Sequence, residues 1–282
     1  MRKATMAILA IIFVMQFGFS KDRVEPKKEI LFNSYQEYGG VVWYNLVTPN
    51  IASSKAFYQK LCKWTFRDVI IKGQKLAIIS NNGQIIGSMI EIKKADASAW
   101  IASIQTDNID ASISDFVNKG GRVIIDKFKV SDNVGQQVIV EGPLGEKLSF
   151  IETINPKMNL LENKEGKWIW QELWTTDTET SEKFYTEVFN LTTTMTDDDG
   201  KPYWVLMDGD KKIAGLMKNP LKGANTQWVP YIKISDIDGA YKLLSSTDAY
   251  VYLKPNPEVR NGNIVVFQDP EGATLCLENY TK

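Results

Sequence analysis

The chain has 282 residues, longer than a single hydrophobic core usually grows, so two domains are expected. Lys and Arg number 33 against 34 Asp and Glu, and this balance excludes the basic field that a nucleic-acid partner requires. An apolar content of 44% excludes a disordered acidic chain, and the absence of histidine removes the commonest metal ligand and neutral-pH base.

Arg2 and Lys3 precede an apolar run from Ala4 to Phe19, broken by Thr5, Gln16 and Gly18. A charged start, an apolar stretch shorter than a bilayer span and small residues at its end predict a secretory signal peptide over residues 1–20, cut after Ser20. No cysteine follows the cut, which disfavours a lipoprotein; the alternative is an uncleaved N-terminal anchor. Either form is exported, periplasmic or secreted, with no membrane contact beyond this segment.

A first domain is expected over residues 36–153. Val41 to Val47 alternates as a strand, and Asn50 is placed to cap a helix from Ala52 to Leu61. Lys75–Ile79 and Ile85–Ile92 are strands around the Asn81-Asn82-Gly83 turn, followed by a strand from Trp100 to Gln105. A helix from Ile109 to Lys119 stops at Gly120-Gly121, and strands 122–125, 136–141 and 146–152 close the half. The polar stretch 154–166 is a linker.

The second domain, 167–281, repeats this order. Strand Ile169–Thr175 leads to a helix from Thr178 to Phe189, then strands 203–207 and 212–217. Strand 228–234, a helix from Ile237 to Ser245 and strands 249–253, 262–268 and 273–279 complete it. The run Thr194 to Gly200 suggests calcium by its Asp-x-Asp-Gly string, but it lacks the downstream Glu of an EF-hand and is expected to be a turn.

The halves share anchors in one register. Trp43, Asn50 and Phe57-Tyr58 answer Trp170, Asp177 and Phe184-Tyr185, and Gly142-Pro-Leu-Gly145 answers Asp269-Pro-Glu-Gly272. Within each half a βαβββ unit occurs twice, giving an α+β fold.

On these residues the chain resembles the vicinal oxygen chelate (VOC) superfamily of glyoxalase, bleomycin-resistance and dioxygenase-like proteins, as a tandem two-domain member. Trp228-Val-Pro-Tyr-Ile-Lys-Ile-Ser-Asp-Ile-Asp238 is especially similar, and the resemblance covers roughly residues 38 to 281. It implies two tandem domains, each a pair of βαβββ units curled into an open mixed-sheet barrel around a cavity. The family's enzymes hold a divalent metal there through His and Glu. Carried over, the first-strand His position falls on Trp43 and Trp170, the middle-strand one near Ile101 and Val229, and the last-strand Glu on Ser149 and Cys276. None of these forms a usual ligand set, so no metal and no cofactor is expected.

Strand alternation puts Trp170, Glu172, Trp174, Tyr231, Lys233, Cys276 and Glu278 on the family's cavity face in the second domain. The first domain offers the neutral set Trp43, Asn45, Ser103, Gln105, Ser149 and Ile151. The second set is therefore the candidate ligand-binding site, with Glu172 as a base or hydrogen-bond anchor, Lys233 as an anion partner and the indoles as stacking walls. The packing alternative pairs Glu172 with Lys233 across strands in a filled barrel. Cys276 lacks a histidine to activate it, Cys62 and Cys276 are either paired or buried thiols, and Phe57-Tyr58 and Phe184-Tyr185 are expected to pack on the sheet.

The function implied is an exported protein that binds a small aromatic or anionic molecule in a metal-free cavity. A lyase-, isomerase- or hydroxylase-like enzyme acting in the second domain, or a degenerate interaction module, are the alternatives. Two fused domains favour a monomer.

Overall fold

The computed structural model describes residues 41–71, 73–131, 135–152, 162–198 and 200–279. The proposed signal segment, the start of the first domain and most of the linker lie outside them.

The first half runs β1 (Val41–Thr48), α1 (Ile51–Cys62), β2 (Thr65–Ile71), β3 (Gln74–Asn81), β4 (Gln84–Glu91), β5 (Ala99–Gln105), α2 (Ile109–Asn118), β6 (Arg122–Ser131), β7 (Gly135–Glu141) and β8 (Lys147–Glu152). The second runs β9 (Trp168–Thr175), α3 (Thr178–Phe189), β10 (Thr192–Asp198), β11 (Lys201–Asp208), β12 (Lys211–Lys218), β13 (Gln227–Lys233), α4 (Ile237–Leu244), β14 (Tyr250–Leu253), β15 (Ile264–Gln268) and β16 (Thr274–Glu278). Each half forms its own eight-stranded mixed sheet, in the orders β2-β3-β4-β1-β5-β8-β7-β6 and β10-β11-β12-β9-β13-β16-β15-β14. In both, the first strands of the two βαβββ units pair antiparallel at the centre, β1 with β5 and β9 with β13. The architecture is two tandem domains with open sheets, as the repeat implied.

The helices start where short polar side chains accept the first free backbone N–H groups. Asn50, Asn108, Asp177 and Asp236 bond Ser53, Ala111, Thr180 and Gly239 at 3.2, 3.0, 3.1 and 2.8 Å. A second device recurs beside them. The hydroxyl pairs Thr48–Ser54, Thr106–Ser112 and Thr175–Ser181 lock strand to helix at 2.9, 2.7 and 2.7 Å. In the fourth unit the pair is apolar on both sides, Ile234 and Ala240, both in the core.

Two strands differ from expectation. β2 was not foreseen, and the acidic run beginning at Thr194 lies largely within β10, whose last pair is Asp198 with Lys201; it is a strand edge and not a turn throughout. Both are outermost strands, exposed along one side, so they lack the apolar alternation that betrays a half-buried strand. The 122–125 strand runs on to Ser131, with register shifts against β7.

The two domains share their cores. One cluster joins Tyr44, Leu46, Phe57 and Tyr58 of the first domain to Ile232, Leu244, Val265 and Phe267 of the second. The other joins Phe116, Val140 and Phe150 to Leu173, Phe184, Tyr185 and Leu216. Trp168, at the start of β9, is buried against Tyr44, Trp64 and Trp100, with its indole donating to the Ile86 carbonyl at 3.0 Å. The Phe-Tyr pairs thus pack across the domain boundary as well as on their own sheets.

Candidate functional site

The register across the second sheet decides which side chains meet. Trp170 lies opposite Tyr231, which lies opposite Cys276, so these three form one row. Glu172 stands in the next row, between Val229 and Gly215, and Trp174 in the one after. The middle-strand residue aligned with Trp170 and Cys276 is therefore Tyr231, two residues beyond Val229.

Glu172 is fully buried, and four donors converge on its carboxylate. Oε1 accepts from the Tyr203 hydroxyl and from Arg260 Nη2, both at 2.9 Å. Oε2 accepts from the Trp174 indole at 2.9 Å and from the Tyr231 hydroxyl. Trp170 donates in turn to the Tyr203 hydroxyl at 3.0 Å. A buried carboxylate is costly unless its lone pairs are matched in this way. Burial pushes the Tyr203 and Tyr231 phenols up, helped by the Glu172 charge, so both remain donors. Burial, then Glu172, also drives the Cys276 thiol well above its ordinary range, which keeps it a poor nucleophile.

The cation at Glu172 is Arg260 and not Lys233. Lys233 sits a row further on, opposite Glu278, and its Nζ donates to Asn279 Oδ1 at 2.5 Å. Glu278 meets the other arm of the same guanidinium, Oε1 to Arg260 Nη1 at 3.3 Å. Of the expected site residues, Trp170, Glu172, Trp174, Tyr231 and Cys276 come together, Glu278 joins through Arg260, and Lys233 stands apart from Glu172. Both cysteines are buried free thiols.

Sequence reasoning missed Tyr203 and Arg260. Tyr203 reaches Glu172 from β11 across β12, because Gly215 leaves the space; a Cβ there would lie 2.0 Å from the Tyr203 hydroxyl. A glycine inside a strand marks such a close approach, and this was the available signal. Arg260 comes from the turn between β14 and β15, where the sequence shows only an Asn-Gly string.

The first domain builds the same network without charge. There Ser88 stands at the position of Gly215, accepts from Trp43 at 3.3 Å and donates to Asn45 Oδ1 at 2.8 Å. Asn45 donates to Ser103 at 3.3 Å, and Gln137 donates to Ser103 and Ser149 at 2.9 and 2.7 Å. Trp–hydroxyl–acceptor order is kept, with Ser88 supplying the hydroxyl that Tyr203 supplies in the second domain.

Among the described residues no three His, Cys, Asp or Glu side chains are placed to hold a metal ion. Residues 169–277 match the model of the Glyoxalase/Bleomycin resistance protein/Dioxygenase superfamily. The second domain thus matches this superfamily over nearly its whole length. The second VOC domain carries the match, and the first repeats its sheet order strand for strand. A glyoxylase-like relative, CFP32 of Mycobacterium tuberculosis, is 26% identical over 242 residues, covering 83% of this chain and 92% of its own. The anthracycline biosynthesis protein DnrV of Streptomyces peucetius is 23% identical over 265 residues, covering 85% and 92%. Homoprotocatechuate 2,3-dioxygenase of Brevibacterium fuscum shares the fold at a TM-score of 0.62 and 14% identity, covering 88% of this chain and 72% of that one. A Mn(II)-bound glyoxalase of Novosphingobium aromaticivorans does so at 0.58 and 13%, covering 87% and 84%.

Proposed function

We propose that this is an exported VOC protein that binds a small molecule without a metal, in a cup on the Glu172 face of the second sheet, and that it works as a monomer. Superfamily membership supports a role in binding or metabolising small molecules. The observation that carries the finer reading is the convergence of Tyr203, Arg260, Trp174 and Tyr231 on buried Glu172. It gives the second cup a charged, hydrogen-bonding interior, whereas the first is neutral.

The residues at the family's metal positions do not fit a divalent cation. They are an indole, an aliphatic or phenolic side chain, and a thiol whose ionisation burial opposes. Of the carboxylates beside them, Glu172 has both oxygens engaged and Glu278 is held by Arg260. The name of the glyoxylase-like relative favours an enzyme as the second reading, but in this cup neither a histidine nor an uncommitted carboxylate stands at Glu172's place to act as base.

Export is supported by the charged start and short apolar run of residues 1–20, and a monomer by the two cores that the domains share. Metal analysis of the protein recovered from the exported fraction, with its N-terminus sequenced and its mass in solution measured, tests the whole reading. The expected result is a monomer that begins at Lys21 and carries no stoichiometric transition metal. One metal per chain would overturn the metal-free cup, and a retained cytoplasmic chain the export.

A further inference from the structure

Arg260 places a guanidinium inside a box that matches it on every named side. Its two nitrogens reach Glu172 at 2.9 Å and Glu278 at 3.3 Å, and its Cζ lies 6.0 and 5.7 Å from the ring centroids of Tyr203 and Tyr231. Two carboxylates at the edge of a planar cation and aromatic rings against it are the groups that recognise guanidinium and amidinium ions. Arg260 lies on the rim side of the box: its side chain is 23% exposed, while those of Glu172 and Glu278 are 0% and 8%.

The segment that delivers this side chain is held in an unfavourable conformation. Arg260, Asn261 and Gly262 all have positive φ, 45°, 54° and 77°, and two of them carry a Cβ. The turn closes on its own backbone, with the Gly262 N–H on the Val259 carbonyl at 3.0 Å and the Asn263 N–H on the Arg260 carbonyl at 3.1 Å. A conformation of this kind persists where other contacts hold it, and here the ion pairs to two strands add to those bonds.

We propose that the second-domain cup is a receptor for a small planar organic cation of the guanidinium or amidinium class, and that Arg260 is a tethered occupant which the ligand displaces. Withdrawal of Arg260 uncovers the buried Glu172 carboxylate between Tyr203 and Tyr231, with Glu278 at the edge of the same space. Those charges demand a cation of like shape and reject an anion, which reverses the ligand charge that Lys233 suggested in the sequence. The inference rests on the small-molecule reading above and names the ligand class for the same cup.

Methylguanidinium at low millimolar concentration is the probe, with urea and sodium chloride as neutral and ionic controls and benzoate as an anionic one. Arg260→Ala is expected to melt below the wild type and to be restored saturably by methylguanidinium alone. Adding Glu172→Gln to that variant is expected to abolish the restoration. Arg260→Lys, which keeps the charge but not the planar fork, serves where Arg260→Ala does not fold: it is expected to bind methylguanidinium several-fold more tightly than the wild type, read by tryptophan fluorescence. A folded Arg260→Ala that ignores methylguanidinium, or that urea or salt restores equally, overturns the proposal. Benzoate binding without methylguanidinium binding overturns the cation class and spares the small-molecule reading; saturable binding of neither overturns both.

Discussion

At the scale of single residues, the two domains solve one problem with different side chains. Each needs a hydroxyl between a tryptophan N–H and the acceptor at the centre of the sheet. The first uses Ser88; the second uses Tyr203, admitted by Gly215. Removing the Tyr203 hydroxyl by Tyr203→Phe strips one donor from a buried carboxylate, at a cost of about 1–3 kcal/mol. Denaturant unfolding measures it. Adding Gly215→Ser to Tyr203→Ala, which also clears the ring carbon that would lie 2.6 Å from the new Cβ, is expected to recover part of the loss, because the serine hydroxyl then lies where Ser88's does. If Gly215→Ser harms the Tyr203→Ala protein as much as the wild type, the equivalence fails. The same exchange occurs at the turn before the last strand. Asp269 accepts from the Glu271 and Ala273 amides at 3.0 and 2.8 Å. In the first domain Gly142 stands there instead, and the Glu146 carboxylate folds back into the vacated space to accept from the Leu144 amide at 3.1 Å.

At the scale of elements, the sequence made the helices legible and two of the four outermost strands not. The four helices were legible because an Asn or Asp cap precedes an apolar stripe, and each boundary moved by a residue at most. Asp177→Ala is expected to cost about 1 kcal/mol in thermal or denaturant unfolding, since it removes the acceptor for the Thr180 amide at 3.1 Å. Asn190→Gly, at a helix end with φ of 50°, is expected to cost little or to stabilise slightly. β2 and β10 were not legible because their own residues, Thr-Phe-Arg-Asp and Thr-Thr-Thr-Met-Thr-Asp-Asp, are polar or mixed and imitate loops. The site was half legible for the same kind of reason. Strand alternation gave the face shared by Trp170, Glu172 and Trp174, which depends on local period alone. Tyr203 and Arg260 arrive from elements whose approach depends on sheet order, and a loop arginine carries no periodic signal.

At the scale of the whole molecule, two matched latches join the domains. Trp100 donates to the Tyr58 hydroxyl at 2.9 Å, which donates to Asp269 of the other domain at 2.8 Å. Trp228 donates to the Tyr185 hydroxyl at 3.1 Å, which donates to Glu146 of the first domain at 2.8 Å. Burial raises the Asp269 carboxyl to about 6 from its ordinary 3.8, and burial raises Glu146 as well. A raised carboxyl means that the folded state holds its proton to higher pH than the unfolded state does. The contribution of Asp269 to stability therefore falls as pH rises from about 4 to 6 and is level above that, by about 3 kcal/mol over the window. The stability difference between wild type and Asp269→Asn, measured by urea unfolding from pH 4 to 7, is expected to decline over that range; a difference independent of pH contradicts the buried latch. The central claim, a second-domain cup that takes its ligand without metal, is tested most directly by titrating tryptophan fluorescence of the mature protein with methylguanidinium and related planar cations in the presence of a strong chelator. Saturable binding that survives the chelator and is lost in Glu172→Gln is the expected result. Binding that appears only when a divalent metal is restored would contradict it.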